Sequence, residues 1–372
     1  MKTLAQRVPE LTPGLLPTLG RSIWPFLAGF GFAYLMQVGI APAVGEFYGS
    51  LLVNIGIAIV LAVSLNIVNG FAGQFSIGHA GFMLVGGNAA AAIVYYGSIK
   101  LWGSPEIHGG FLGPGELLLV AGCVAGGLWA AFAGLIVGLP SLRLRGDYLA
   151  IVTLGFGEIM RVLVTQTGPQ LRGKDAAEAS WFTLMTKLNG NLGFSNPQGA
   201  YLDPQNPFWV WVFVSILLIV AYRLKSSTHG RALLAVRENE VAAEAMGVPT
   251  TRAKVSAFVL AAFFAGIGGA LFAHELGSTL KPDPSTLGFQ KSFDIVIMVV
   301  IGGMGSITGA VLAAVILTVM PELFREFDQY RMIVYALALI FMMILRPQGL
   351  MGLRELWDTS WWRRIFRRGG AS

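Results

Sequence analysis

The sequence predicts an all-α polytopic membrane protein with about 9–10 transmembrane helices and a broken or re-entrant glycine-rich element near 293–320. Three observations carry this. Charged residues make up 12 % of the 372-residue chain, half the ~25 % of an ordinary soluble domain. Apolar residues make up 55 % and mean hydropathy is +0.66, so a large core could be buried but not clothed in polar surface. Those apolar residues fall in blocks of about 20, the length that crosses a ~30 Å hydrocarbon layer.

Taken in order, residues 1–21 read as a cytoplasmic N-terminal extension, polar and proline-punctuated, where Lys2, Arg7 and Arg21 outweigh Glu10. The first apolar block, Ser22 to Ile40, exceeds the ~7–15 residues of a signal-peptide core. It is therefore read as an uncleaved helix, although Ala41-Pro42-Ala43 faintly resembles a cleavage site. Further blocks cover roughly 49–69, 74–97, 116–138, 148–168, 207–224 and 253–277. The stretch 293–320 is interrupted by Gly302-Gly303-Met304-Gly305-Ser306-Ile307-Thr308-Gly309, and a last block covers about 331–345. The permease-like body thus spans 22–345 and leaves a basic tail, 346–372.

Loop charge orients the chain. Arg143 and Arg145, the 223–254 connection and the tail are rich in Lys and Arg, whereas 98–115, 169–206 and 278–291 have no basic excess. Basic connections stay cytoplasmic, which puts both termini inside and makes 169–206 a periplasmic loop. Counted as one span, 293–320 would leave the basic tail outside, and its 28 residues are too few for two full spans. A half-helix entering from outside, a glycine-rich turn within the membrane and a second helix leaving restores the parity. Irregular backbone at that depth survives only where protein or a wet cavity satisfies it, and in transporters such breaks lie near the solute path. A second such segment, Asn69 through Gly81, also places Ser-Ile and Gly ahead of a small-residue helix. An internal duplication and chance likeness both account for it.

Other classes are poorly served. One cysteine, Cys123, allows no internal disulfide, and His79, His108, His229 and His274 lack metal-site spacing. The net charge of +6 reads through loop orientation, with membrane lipid rather than nucleic acid as the surroundings.

One hydrophilic segment stands out, Gly230 through Pro249 within the cytoplasmic connection 225–252. Its alanine-rich interior predicts one helix over 231–247, closed by Gly247 before Pro249. Glu240 and Glu244 share a face, where like charges are tolerable if a basic partner surface meets them. A solvated interfacial helix is the plain alternative.

The segment resembles the EAA-type coupling loop of ABC importer permeases, and the chain as a whole resembles LivM-type permeases of branched-chain amino acid ABC importers. The matching pieces are Gly73 through Ala80, Leu142 through Tyr148, Leu154 through Arg161, the coupling segment, Ala270 through His274, Ser292 through Ala310 and Leu345 through Leu350. The resemblance implies a bacterial inner-membrane subunit that works with a LivH-like second permease, two cytoplasmic ATPase subunits and a periplasmic binding protein. It implies no catalysis in this chain, with coupling carried by Arg237, Glu238, Glu240, Ala243, Glu244 and Gly247. In agreement, no phosphate-binding G-x-x-x-x-G-K-[ST] occurs, so ATP is bound by the partners; no cofactor or metal is expected here. Candidates for the translocation path are Ser76, His79, Gly302, Gly303, Gly305 and the mid-span Glu158 with Arg161 three residues on. That pair reads equally as a neutralised packing pair, and the glycines as close helix packing. His274 and Glu275 are expected at a wetted outer edge, and Asn54, Asn66 and Asn88 as interhelical bonds without further role. Permeases for urea or short amides look similar. A stand-alone secondary transporter or channel, which would carry solute alone, is a rival from another class, and a membrane enzyme would need a carboxylate or histidine cluster at one face.

Overall fold

A computed structural model of the chain describes residues 15–142, 148–195, 201–202, 204–284 and 286–324, with 336–337, 340, 344, 349–352 and 355 beyond them. The Arg143/Arg145 connection and nearly all of the expected 331–345 block lie outside the described residues. Among those described, the architecture is all-α; the only β pairings are isolated bridges, Phe194 with Leu280 and Leu202 with Glu275.

Among the described residues six apolar helical stretches are long enough to cross a membrane. The first, Ile23–Phe71, runs 49 residues and makes two passes. Helix α1 (Leu15–Leu35) lies antiparallel to α8 (Phe208–Ser226), with Phe26 against Arg223 and Phe32 against Trp211. Helix α2 (Ala41–Asn66) instead runs parallel to α8, with Gly49 against Pro204 and Gly56 against Val210. The chain turns through a π-helical segment at Met36–Ile40, and Gly45, at φ +78°, supplies the non-helical kink.

The centre is built from α3 (His79–Trp102), α4 (Pro114–Ser141) and α11 (Thr250–Ala273). Their backbones nearly touch: a methyl on Gly86 would strike Gly266, and one on Gly126 would strike the carbonyl of Gly86. Between helices that share the same apolar solvent, such close packing supplies the attraction that hydrophobic burial cannot. Helix α3 is accordingly 89 % buried over its span, whereas α5 (Tyr148–Thr165) is 22 % buried and rides on the outside.

The connections without basic excess meet at one end. Short helices α6 (Gly173–Glu178) and α7 (Trp181–Met185) fold over α3, where Tyr96 donates to the Lys187 carbonyl at 2.6 Å. Buried Glu116, at the start of α4, accepts from Leu112 N (2.9 Å), Asn206 Nδ2 (3.1 Å) and Trp209 Nε1 (2.9 Å) and ties two of these connections together. At the opposite end, α8 leads into α9 (Thr228–Glu238) and α10 (Glu240–Ala245).

The 293–320 stretch is broken, as parity required. Helix α12 (Phe289–Gly302) and helix α13 (Ile307–Leu323) form an antiparallel hairpin, Gly302 packing on Gly309 near the turn while Lys291 and Glu322 share a cavity toward the open end.

Candidate functional site

The chain leaves helical geometry at two neighbouring places, and polar side chains satisfy the exposed backbone at both. In the first break, α2 passes through a π-turn at Ile67–Phe71 and the chain then stays irregular until Gly78. Asn69 accepts from Ser76 N (3.1 Å), Thr153 Oγ1 accepts from Ile77 N (3.2 Å), and Ser292 Oγ accepts from Ala80 N (3.0 Å). In the second, Gly303 and Gly305 take φ of +102° and +96°, a region that penalises any side chain. Ser306 then caps α13 by accepting from Gly309 N at 3.0 Å.

Asn66, the last residue of α2, joins the two breaks. Its Oδ1 accepts from Gly305 N and its Nδ2 donates to Ser306 O, each at 2.9 Å, as a neighbouring strand would. Sequence reasoning gave it no role, because an asparagine at a helix end has many uses and only the distant partner singles this one out.

Two cations from the basic end close over the same turn. Lys225, at the end of α8, donates to Gly305 O (2.8 Å) and pairs with Glu355 at 2.5 Å. Glu355 also accepts from Ile307 N and Thr308 N, both at 3.0 Å, where the helix N-terminus favours an anion. Burial alone would raise its pKa, but Lys225 and these donors outweigh that and hold the carboxyl below its usual range. The preceding Gly349-Leu350-Met351 segment docks here too, Leu350 N donating to Ile301 O at 2.7 Å. Arg237, from α9, donates through Nη1 to Gly70 O in the first break (2.7 Å) and Met304 O in the second (3.4 Å). Its stem lies so close to Gly73 that a Cβ there would sit 2.8 Å from Arg237 Cγ.

The single helix expected over 231–247 is instead two. The chain turns at Asn239 (φ −159°, ψ 107°), whose side chain accepts from Ala242 N at 3.0 Å and starts α10 afresh. A short amide that can bond the backbone ahead competes with continued helix. Gly247 does close the segment, at φ +84°. Glu240 and Glu244 are also divided in their surroundings: Glu240 pairs at 2.5 Å with Lys254, which is 2 % exposed, while Glu244 faces outward. Ala243 is buried; Glu238, Gly247, Val241 and Met246 are exposed.

The path candidates fall into three places. Ser76 and His79 are each 2 % exposed; His79 shares a 2.8 Å hydrogen bond with Ser64 of α2. Glu158 and Arg161 pair at 2.7 Å on α5, and Arg161 also donates to Pro282 O at 3.4 Å. Glu158 borders a narrow cleft with Ile77, Gly81 and Ser292, beside the first break. Among the described residues its Oε1 is buried without a hydrogen-bond partner. Gly302, Gly303 and Gly305 form the second turn. Thus Ser76, His79 and Glu158 gather around the first break, and the three glycines flank Met304, whose carbonyl Arg237 meets at the second.

His274 and Glu275 are not wetted. Both are buried; His274 Nδ1 donates to Ala270 O at 2.7 Å, and Glu275 accepts from Asn54 (2.7 Å) and Ser278 (2.8 Å). The folded connections without basic excess cover a helix end that its sequence position alone left open to water. Among the described residues no three His, Cys, Asp or Glu side chains gather as a metal site would require.

Comparison with known proteins gives one consistent set. Residues 47–345 match the family described as the permease component of branched-chain amino acid transport systems. The high-affinity branched-chain amino acid permease LivM of Salmonella typhimurium is 37 % identical over 308 residues, covering 79 % of this chain and 68 % of the relative. LivM of Escherichia coli is 37 % identical over 318 residues with the same coverage. LivH of Escherichia coli is 23 % identical over 299 residues, covering 80 % of this chain and 91 % of the relative. No solved structure matches.

Proposed function

The chain belongs to the branched-chain amino acid transport permease family, and on that premise we propose that it lines the path by which a bacterial ABC importer carries branched-chain amino acids inward. It is a multi-pass permease subunit of LivM type. Likeness to both LivM and LivH relatives fits a pair of related permeases, this chain and a LivH-like partner, side by side in the inner membrane. Two ATPase subunits that bind the ATP, and a periplasmic binding protein, complete the machine.

In this reading residues 1–21 and 346–372 are cytoplasmic, 22–345 form the transmembrane body, 169–206 faces the periplasm and 225–252 meets the ATPases. Exposed Glu238, Glu244 and Gly247, with Val241 and Met246, offer the ATPase a mixed acidic and apolar ridge, while Ala243 and the Glu240–Lys254 pair hold that ridge to α11. Movement of α9 and α10 reaches the path through Arg237, whose contact with both breaks is the observation that carries the proposal. Ser76, His79, Glu158, Arg161 and the turn glycines are the nearest path-forming groups to those breaks.

Because Glu240 already serves Lys254, reversing both acids would confound docking with folding; Glu244→Lys with Met246→Asp is the cleaner variant. Mild-detergent purification of the wild-type chain from native membranes should recover an ATPase and a second permease, and the double variant should lose the ATPase while keeping the permease. A well-folded chain that purifies alone and carries leucine down a gradient in liposomes would overturn the proposal in favour of a stand-alone transporter.

A further inference from the structure

An open groove of about 770 Å³ runs between α4 and α11. One wall is the stripe Leu128, Ala131, Leu135 and Leu139 of α4; the other carries Val255, Val259 and Phe263 of α11. Both sets are spaced three or four residues apart, as one face of a helix requires. Leu128, Leu135 and Leu139 are exposed, and α4 is only 33 % buried over its span. The two helices run antiparallel, Gly138 against Phe258 and Gly126 against Gly266, so Leu139 shares an end of the groove with Arg252. At the other end the groove stops near Leu128, where Gly127 packs on Phe263 and Ile267 and draws the helices together. From Leu128 to Leu139 is ~16 Å at ~1.5 Å per residue, about half of a ~30 Å hydrocarbon layer. The open end is the one where α9 and α10 lie, and Thr251 and Arg252 border it from the first turn of α11. Arg252 is exposed and, among the described residues, in no ion pair, whereas Lys254 beside it is paired with Glu240. A guanidinium is planar, weakly hydrated and matched in geometry to phosphate.

We propose that this groove holds one anionic phospholipid of the leaflet at the basic end, an acyl chain lying against the α4 and α11 stripes and the phosphate resting on Arg252 and the Thr251 hydroxyl. Depth favours a lipid over a protein partner. A partner helix crosses both leaflets and needs a furrow that does the same, whereas a lipid chain enters from one surface and ends near the bilayer middle. Charge favours an anionic headgroup over a zwitterionic one. Arg252 brings a positive charge that no neighbouring acid neutralises, and basic sites between spanning helices on this side of a membrane attract anionic headgroups. The inference concerns the lipid-facing side of the chain and holds whatever solute is carried.

The test is photolabelling of the protein, purified with its partners from native membranes and placed in phosphatidylcholine nanodiscs doped with phosphatidylglycerol that bears a photoreactive acyl chain. Peptide mass spectrometry then maps the adducts. Wild type should be labelled between Leu128 and Leu139 and between Val255 and Phe263. Unlabelled phosphatidylglycerol should compete about fivefold better than phosphatidylcholine of the same chains, which corresponds to the ~1 kcal/mol that one basic residue contributes toward anionic lipid. Arg252→Gln should bring the two competitors level while labelling outside the groove stays unchanged, a combination that misfolding would not give. Ala131→Trp, which fills the groove from α4, should remove labelling there and spare it elsewhere. Equal competition by the two lipids in wild type would reduce the groove lipid to ordinary bilayer and overturn the site, as would an Arg252→Gln protein that keeps the preference. Cross-links from the groove to another protein chain in place of lipid would overturn it in favour of a subunit interface.

Discussion

The α3–α4–α11 core and the α2–α12–α13 unit are both buried, yet they are held by opposite means. In the core, glycines bring three backbones into contact and no polar side chain is needed between them. Around the breaks, side chains from distant parts of the chain (Asn66, Thr153, Lys225, Arg237, Ser292 and Glu355) bond backbone groups that no helix satisfies. Close packing tolerates little displacement without clash. Hydrogen bonds and ion pairs can be exchanged as discrete sets, which is what a two-state element needs. On the proposed function, the first region is the scaffold and the second the moving part.

The sharpest way to break this contrast is to crowd the scaffold. Gly86→Leu has nowhere to put its side chain and should cost about 3 kcal/mol or more, read as a large fall in the thermal midpoint in detergent; a small fall would mean the core is looser than its contacts indicate. Next comes Glu355→Gln, which removes charge-assisted bonds and leaves Lys225 without its anion, a loss of about 2 kcal/mol. Its pH dependence follows from sign. The folded carboxyl titrates below its ordinary range, so its contribution is complete above pH ~4.5 and is lost as pH falls through the folded value. The gap in midpoint between wild type and Glu355→Gln should therefore close on acidification below pH ~4.5.

Arg237→Ala tests the moving part directly. Interhelical hydrogen bonds in membranes average about 0.6 kcal/mol, so the midpoint should fall by only about 1 kcal/mol in equivalent stability. Import by the assembled transporter should fall at least tenfold with ATP hydrolysis retained. Proportional loss of both would make Arg237 a mere brace. The smallest effect belongs to Asn239→Ala, which removes the cap of α10 at a cost of about 1 kcal/mol, confined to faster amide exchange over 240–245.

Much of this was legible beforehand. Block lengths placed the spans, parity of the basic connections demanded a hairpin at 293–320, and glycine with proline marked the end of the 231–247 segment. The division at Asn239 was not legible, because alanine-rich flanks favour continued helix and one amide tipped the balance. Nor was the pairing of Glu240 with Lys254, or of Asn66 with Gly305, since neither partner is near in sequence. Burial of His274 and Glu275 depends on outer connections whose sequence carries no strong periodicity.

The sequence by itself determined that this chain lives in lipid and where it breaks, because hydropathy, charge asymmetry and glycine placement act locally and add along the chain; its family was legible only through the motifs it shares with LivM-type permeases. Only the tertiary structure decided what the breaks meet. It brought an arginine from α9, a helix-end asparagine and a tail glutamate onto one turn, and set a lysine and a glutamate from two helices beside one cavity. Such meetings depend on how helices pack, and backbone polar groups freed inside a membrane must take whichever partners that packing delivers.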